Sequence, residues 1–490
     1  MPKTVSVIDI GSNSARMAIF ARTSRFGFYL LEEKKSRVRI SEGSYENQGY
    51  LQEEPIRRTL NALNGFVQIA KARGCHKILC VATSALRDAP NKKDFLKRAK
   101  EECGLQIRII NGEQEAYYGA LACANLLHQT EGVSIDVGGG SSEYAILKNG
   151  KIQDLFSLDI GAIRLKELFF DKGDNLEGAQ KFIAQALSSL PSQLKSDCVF
   201  GIGGSIRAIT KIILKDSKTQ FFHGMEIQAQ AYIAFCQKII SSSSDMLRKL
   251  GFGEDRIDSI RSGALIFATF LEHLNAKTVI TSGVGVREGV FLENLLRGHH
   301  NRFPSNFNPS LRCLLDRFDS KKSKSKLIKK EALRIFDTFS PIHQNDFFLK
   351  KILAIASSLA CIGESIGSHM QCFHSGYLAF YGLEYGYSFE ERNLIRIILE
   401  HSSKKLPKEN KSDLIPLSNL RLLISILTLS KFLTITPSIL TYQLLDEETL
   451  FIGGASYLAQ EQILKSAKIL DFKVRFQEAK MDKYHHRVYI

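Results

Sequence analysis

The stretch Ile8-Asp9-Ile10-Gly11-Ser12-Asn13-Ser14 recurs, little changed, as Ile135-Asp136-Val137-Gly138-Gly139-Gly140-Ser141-Ser142. Each is a short apolar run that closes on an aspartate and opens into a glycine- and serine-rich turn. Apolar runs of this length, bounded by turn residues, read as buried strands. Three further segments share the grammar: Lys77–Ala82 runs into Thr83-Ser84 and then Arg87, Val199–Ile202 into Gly203-Gly204-Ser205, and Val279–Ser282 into Gly283-Val284-Gly285. A helix is expected after each turn, and strand–turn–helix alternation predicts an α/β architecture. The two aspartate turns predict two similar lobes facing one cleft.

At 490 residues the chain exceeds one ordinary core, so several domains are expected. Its 44% hydrophobic and 24% charged residues exclude a mainly disordered or fibrous protein. The net charge of +15 favours an anionic partner. Nine scattered cysteines, with no CxxC pair, fit a reducing cytoplasm better than a secreted disulfide framework. Met1–Ile10 already has a strand pattern and no signal-peptide pattern. The most apolar stretch, Leu422–Ile435, is interrupted by Lys431 and is too short to span a membrane, so it reads as a buried helix.

The grammar changes near Asn301. Pro304 and Pro309 bracket a stretch that reads as a linker, and helical periodicity follows, with a basic run at Lys321–Lys330. Residues 301–490 hold 27 Lys and Arg against 19 Asp and Glu, about half of the whole net charge. Near the end, Leu450–Ile452 and Val474–Phe476 read as strands flanking a helix at Tyr457–Ile469.

The chemistry follows from the turns. Glycine lets a backbone approach phosphate closely, successive N–H groups point into the concavity, and serine hydroxyls add donors. Gly11, Ser12, Asn13 and Ser14 in one turn, with Gly138, Gly139, Gly140, Ser141 and Ser142 in the other, can cradle one phosphoryl chain from both sides. Asp9 and Asp136, at the strand ends, suit Mg²⁺ bound directly or through water. Ile110-Asn111-Gly112-Glu113-Gln114-Glu115-Ala116 opens a helix with carboxylates, one of which can face the cleft and take a proton from water.

Together, Ile8–Ser14, Ala82–Ala89, Gly112–Ala116, Asp136–Glu143, Leu158–Leu165, Gly201–Ala208 and Ser282–Gly289 resemble the Ppx/GppA family of exopolyphosphatases and guanosine pentaphosphate phosphohydrolases. The resemblance implies two ribonuclease-H-like lobes of the actin, sugar-kinase and Hsp70 superfamily over 1–125 and 126–305. It implies a helical HD-like domain over 306–440, and a small α+β domain is expected over 441–490. It makes Glu115 the catalytic carboxylate, with Gln114 at a position often acidic in relatives. It places Asp9, Asp136 and Glu143 at Mg²⁺ or water, and Arg87 on a phosphate. Arg16, beside the first turn, and Arg256, at a segment resembling the family's variable cleft rim, are expected to select the substrate.

The expected activity is release of orthophosphate from polyphosphate, from guanosine pentaphosphate, or from both. A small-molecule kinase of the same superfamily and a non-catalytic alarmone or polyphosphate sensor are the alternatives. DNA and membrane partners are not expected, and a homodimer is among the expected states. Cys361, His369, Cys372 and His374 cluster in sequence without the spacing of a common zinc module. The metal-holding pair of HD-like relatives aligns with Ala360-Cys361, so no working metal site is expected there.

Overall fold

The computed structural model describes residues 3–171, 173–191, 194–215, 222–319 and 322–477. Lys321, the first residue of the basic run, and the last residues of the 441–490 segment lie outside them.

The first aspartate run forms β1 (Thr4–Ile10). Its turn leads not into the expected helix but into an antiparallel strand, β2 (Ala15–Arg22), followed by β3 (Phe28–Ser36). The turn is too tight for a helix, because the Gly11 N–H donates to the Ser14 carbonyl (3.2 Å) and reverses the chain at once. β2 is buried on both faces, so it lacks the polar alternation that marks a strand in sequence. β4 (Lys77–Ala82) and β5 (Ile107–Ile109) then add in parallel, giving the order β3-β2-β1-β4-β5.

The second run repeats the plan and the departure from expectation. β6 (Gly132–Val137) turns into antiparallel β7 (Ser142–Lys148) and β8 (Lys151–Leu158). Asn149 and Gly150, at φ 52° and 63°, make the two-residue turn between β7 and β8, the conformation a tight hairpin requires. β9 (Cys198–Ile202), β10 (Glu226–Gln228) and β11 (Thr278–Thr281) complete the sheet in the order β10-β11-β9-β6-β7-β8. Without β10, which pairs antiparallel at the edge, this is the strand order of the first sheet. The expected pair of matching α/β lobes is present.

Each sheet buries one face against its own helices. Ile8, Ile10, Met17 and Ile19 pack with Leu60, Leu63 and Phe95 in the first lobe; Val133, Ile135 and Tyr144 pack with Ile183, Phe267 and Phe270 in the second. Between the lobes runs the helix Gly112–Leu126. Its Tyr118, Leu121 and Ala122 join Val5, Val7 and Phe20 of the first sheet and Phe291 of the helix Val286–Leu295. Its Ala120 and Cys123 pack instead with Ala145, Leu147 and Ile202 of the second. A helix clamped on two faces holds its first turn rigidly, and Glu115 lies in that turn.

Met1–Arg312 and Tyr385–Ser388 form one compact unit. The stretch between Pro304 and Pro309, expected as a linker, is docked in it: its Phe307, and Phe303 just before it, lie against Phe26, at ring separations of 5.7 and 6.3 Å. Cys313–Glu384 and Phe389–Ile490 form the other unit. It contains the helices Lys322–Thr338, Phe347–Leu359, Gln371–Gly382, Phe389–His401 and Leu417–Leu433. Leu417–Leu433 is buried along most of its length, as its composition predicts. β12 (Thr441–Asp446), β13 (Thr449–Gly453) and β14 (Lys473–Phe476) form a small sheet, with the helix Tyr457–Lys465 between β13 and β14. Among the described residues no helix is long and apolar enough to cross a membrane.

Candidate active site

The two aspartate turns are built alike and meet. Gly138 N–H donates to the Ser141 carbonyl (3.0 Å), as Gly11 does to Ser14. A Cβ on Gly139 would stand 3.0 Å from the Cβ of Ser12, so the loops approach to a distance that favours glycine. They border a cleft of about 920 Å³. Asp9, Gly11, Ser12, Asn13, Ser14, Arg16, Glu115, Asp136, Gly138, Gly139, Ser141 and Arg256 line it, so most of the expected site residues come together. Gly140 is buried in the turn, and Ser142 donates its hydroxyl to the Ile160 carbonyl; neither lines the cleft.

Register explains how equivalent positions acquire opposite roles. In the first lobe β1 and β2 place Asp9 opposite Arg16; in the second, β6 and β7 place Asp136 opposite Glu143. Three arginines act electrostatically on the aspartates: Arg16 and Arg287 on Asp9, and Arg16 and Arg207 on Asp136. Burial lowers the Arg16 pKa to about 10, aided by the charges of Arg207 and Arg287. A Cβ on Gly204 would stand 2.6 Å from an Arg256 guanidinium nitrogen and 3.1 Å from one of Arg16, so both guanidinia lie against that backbone. Arg287 is 6% exposed and pairs with Glu33 at 2.5 Å.

Two glutamates act on the same aspartates. Asn111 caps the helix Gly112–Leu126: its side chain accepts from Gln114 N–H (2.8 Å), and the Gln114 side chain accepts from Asn111 N–H (3.1 Å). Gln114 therefore completes the capping box, while Glu115 turns inward, 9% exposed, with its Oε2 3.2 Å from Arg87. Burial raises the Glu115 pKa well above its usual range; Glu143, Asp9 and Asp136 add to this and Arg87 opposes it. Glu143 is buried and accepts from the hydroxyls of Ser141 (2.6 Å) and Ser157 (3.1 Å); burial raises its pKa as well. Burial lifts Asp9 to about 6 against the pull of Arg287 and Arg16, and lifts Asp136 against Arg207 and Arg16.

Arg87, expected on a phosphate, lies beside the main cleft, where it donates to Glu115 and to the Ile110 carbonyl (3.4 Å), with Asp88 at 3.5 Å. Two cleft arginines received no role from sequence reasoning: Arg207 and Arg287, inside Gly201–Ala208 and Ser282–Gly289. Their signal was position. Arg207 is the fourth residue of the helix that follows β9, as Arg87 is of the helix that follows β4. At the head of Arg207's helix Gly203 has φ 100°, and a Cβ there would fall 2.7 Å from Asp136 Oδ1, so this turn needs glycine twice over.

Asp9 Oδ1 and Glu143 Oε2 are buried oxygens without a hydrogen-bond partner among the described residues. Hard oxygen donors of this kind fit Mg²⁺. No three described His, Cys, Asp or Glu side chains come together as a set able to hold an ion. A magnesium ion here would take its remaining ligands from water and phosphate, which is its usual habit.

Residues 18–298 match the model of the Ppx/GppA phosphatase family. The crystal structure of the Aquifex aeolicus member of the Ppx/GppA family is 29% identical and aligns over 61% of this chain and 100% of its own, with a TM-score of 0.53. An exopolyphosphatase from Cytophaga hutchinsonii, at 20% identity, aligns over 60% of this chain and 98% of its own with a TM-score of 0.56, a likeness of fold. The match takes in Glu115, Asp136, Glu143 and all four helix-borne or rim arginines, Arg87, Arg207, Arg256 and Arg287. The chain belongs to the Ppx/GppA phosphatase family.

Proposed function

We propose that the protein releases terminal orthophosphate from inorganic polyphosphate or guanosine pentaphosphate, with Glu115 as the general base. The observation that carries this reading is the charge layout of the cleft. Asp9 and Asp136 stand between the charges of Glu115 and of Glu143 behind it and those of Arg16, Arg207 and Arg287, with Arg256 beside Arg16 and Glu288 beside Arg287 also lining the cleft. A substrate with one terminal phosphoryl group and a long anionic remainder matches that polarity.

Phosphoryl transfer depends on positioning and charge neutralisation. The N–H groups of the two turns, with Ser12 and Ser141, hold the terminal phosphoryl group, and the arginines neutralise the rest of the chain. Of Asp9, Asp136 and Glu143, one or two would hold Mg²⁺ directly and the rest through water, and the ion would offset charge on the phosphate oxygens. Glu115 orients a water and takes its proton as the oxygen attacks the terminal phosphorus in line. The phosphoanhydride bond breaks, and the products are orthophosphate and a substrate one phosphate shorter. The raised pKa of Glu115 makes its carboxylate a stronger base than a solvated one, and Arg87 keeps that carboxylate in place.

The test is phosphate release by the full chain from long polyphosphate and from guanosine pentaphosphate, each with Mg²⁺ and without any acceptor. Release from either supports hydrolysis. Phosphate transfer only to an added small-molecule acceptor would indicate a kinase, and binding without release a sensor.

A further inference from the structure

The first phosphate turn rests on a neighbouring stretch, residues 37–41, that the proposed chemistry does not use. Arg39 N–H donates to the Asn13 carbonyl (3.0 Å), and Ser41 donates from its N–H (3.4 Å) and its hydroxyl (3.3 Å) to the Ser12 carbonyl. Arg39 stands at φ 45°, a left-handed backbone that few residues other than glycine adopt. Such a conformation persists where the surrounding contacts impose it. Some of those contacts come from the first lobe: Arg58 donates to the Val38 carbonyl and to Glu42, both at 2.6 Å, and Glu42 also accepts from Arg39 (3.4 Å).

The others come from the second lobe. Arg39 Nη2 donates to Asp258 Oδ2 at 2.5 Å, and Arg37 Nη2 donates to the same oxygen at 2.8 Å. Asp258 stands between Arg256 and Ser259, which both line the cleft, and two residues before the helix Ile260–Leu274, whose Phe267 and Phe270 lie in the core of the second lobe. Asp258 itself does not line the cleft. One carboxylate oxygen thus anchors two guanidinia, and through Arg39 the second lobe grips the turn of the first. Lys35 and Asp255 pair across the same rim at 2.9 Å, but Lys35 lies in β3, before the stretch that supports the turn.

We propose that Asp258 is a positioning residue: by holding Arg37 and Arg39 from across the cleft rim it sets the first phosphate turn for the reaction. Part-exposed ion pairs add little to stability, so the consequence of this clasp is geometric. The turn holds the terminal phosphoryl group, which polyphosphate and guanosine pentaphosphate share, so loss of Asp258 slows turnover of both alike. Arg16 and Arg256 differ in this respect, because they meet the part in which the two substrates differ. Asp258 is 27% exposed, so salt screens the clasp and loosens the turn as ionic strength rises. The rate effects rest on the hydrolytic reading of the cleft; the geometry does not.

The experiment compares amide hydrogen exchange in the full-length wild type, Asp258→Asn and Asp258→Glu, without substrate. The expected result is exchange at least about tenfold faster at Arg39 and Ser41 in Asp258→Asn, with most of the protection kept by Asp258→Glu. Asp255→Asn should leave those two amides near their wild-type rates. Unchanged exchange at Arg39 and Ser41 in Asp258→Asn overturns the proposal, and so does faster exchange spread over the whole first lobe with a lowered urea midpoint, the mark of a merely structural role. Turnover supplies the second readout. At saturating substrate, Asp258→Asn should lower kcat at least about tenfold for polyphosphate and for guanosine pentaphosphate, with KM little changed. Raising salt from about 0.05 to about 0.5 M should lower the wild-type kcat and leave that of Asp258→Asn level. A wild-type kcat equalled by Asp258→Asn overturns the proposal, whereas a wild type that releases no phosphate fails the hydrolytic reading and leaves the exchange result to decide.

Discussion

Replacing Arg87 with methionine separates two roles for this side chain. As a phosphate ligand, Arg87 would raise KM when lost and leave the pH profile in place. The structure puts its guanidinium 3.2 Å from Glu115, with the two side chains 20% and 11% exposed. At that distance and an effective dielectric constant of about 20, the attraction is about 5 kcal/mol. Desolvation offsets much of this, and neighbouring cations typically hold a carboxyl about 1–3 pKa units down, or about 1.4–4 kcal/mol. Without Arg87, Glu115 is left facing Glu143, Asp9 and Asp136, all of which push its pKa up. A base must be deprotonated to act, so activity is lost as pH falls through its pKa. Arg87→Met should therefore move the acid limb of kcat/KM upward by at least about one pH unit, and Arg87→Lys should restore part of the shift. The assay is phosphate release at subsaturating substrate from about pH 5 to 10, the range spanning these groups. An unmoved acid limb with raised KM would refute the positioning role and return Arg87 to the phosphate.

Three further outcomes follow from the same geometry. Asp9, lifted to about 6, has a folded pKa above its unfolded one, so its ionisation at pH 7 costs stability that is regained as pH falls through 6 toward 3.8. Asp9→Asn should stabilise the metal-free protein at neutral pH by about 1–3 kcal/mol in urea melts, with the gain gone near pH 4, while activity with Mg²⁺ drops. Gly139→Ala should force Ser12 aside, because its Cβ would meet the Ser12 Cβ at 3.0 Å; a cost of about 1–3 kcal/mol and a sharp fall in kcat/KM are expected, against a small change for alanine at open Gly65. Replacing Arg16 and Arg256 with alanine should raise KM for guanosine pentaphosphate more than for polyphosphate, at about 1.5–3 kcal/mol per lost charge-assisted contact; equal effects would make both general phosphate binders.

The lobes were legible because Asp9–Ser14 and Asp136–Ser142 carry the same strand end and turn, and a repeated backbone geometry leaves a repeated sequence. The hairpins were not, because β2 and β7 are buried on both faces and lack the alternation that would separate them from a helix start. Asn149-Gly150 was a readable hairpin signal, obscured by an expectation of helices after every turn. A cleft-facing carboxylate could be read from a helix start rich in them, and the family resemblance put it at Glu115, but its ion pair with Arg87 could not be read, because 28 positions of chain separate partners that only the packed first lobe brings together. Arg207 and Arg287 escaped for a related reason: nothing in a single arginine shows which way it points, and both are turned into the cleft by helices that start at glycine-rich turns.

The measurement closest to the central claim is turnover and substrate binding by Glu115→Gln. Glutamine keeps the shape and can still donate and accept hydrogen bonds, but it cannot take the proton from water. The account predicts a kcat lower by about 10²–10⁴-fold, with polyphosphate or guanosine pentaphosphate bound about as tightly as by wild type. Near-normal turnover by the folded variant, judged by an unchanged circular dichroism spectrum and melting temperature, would contradict it.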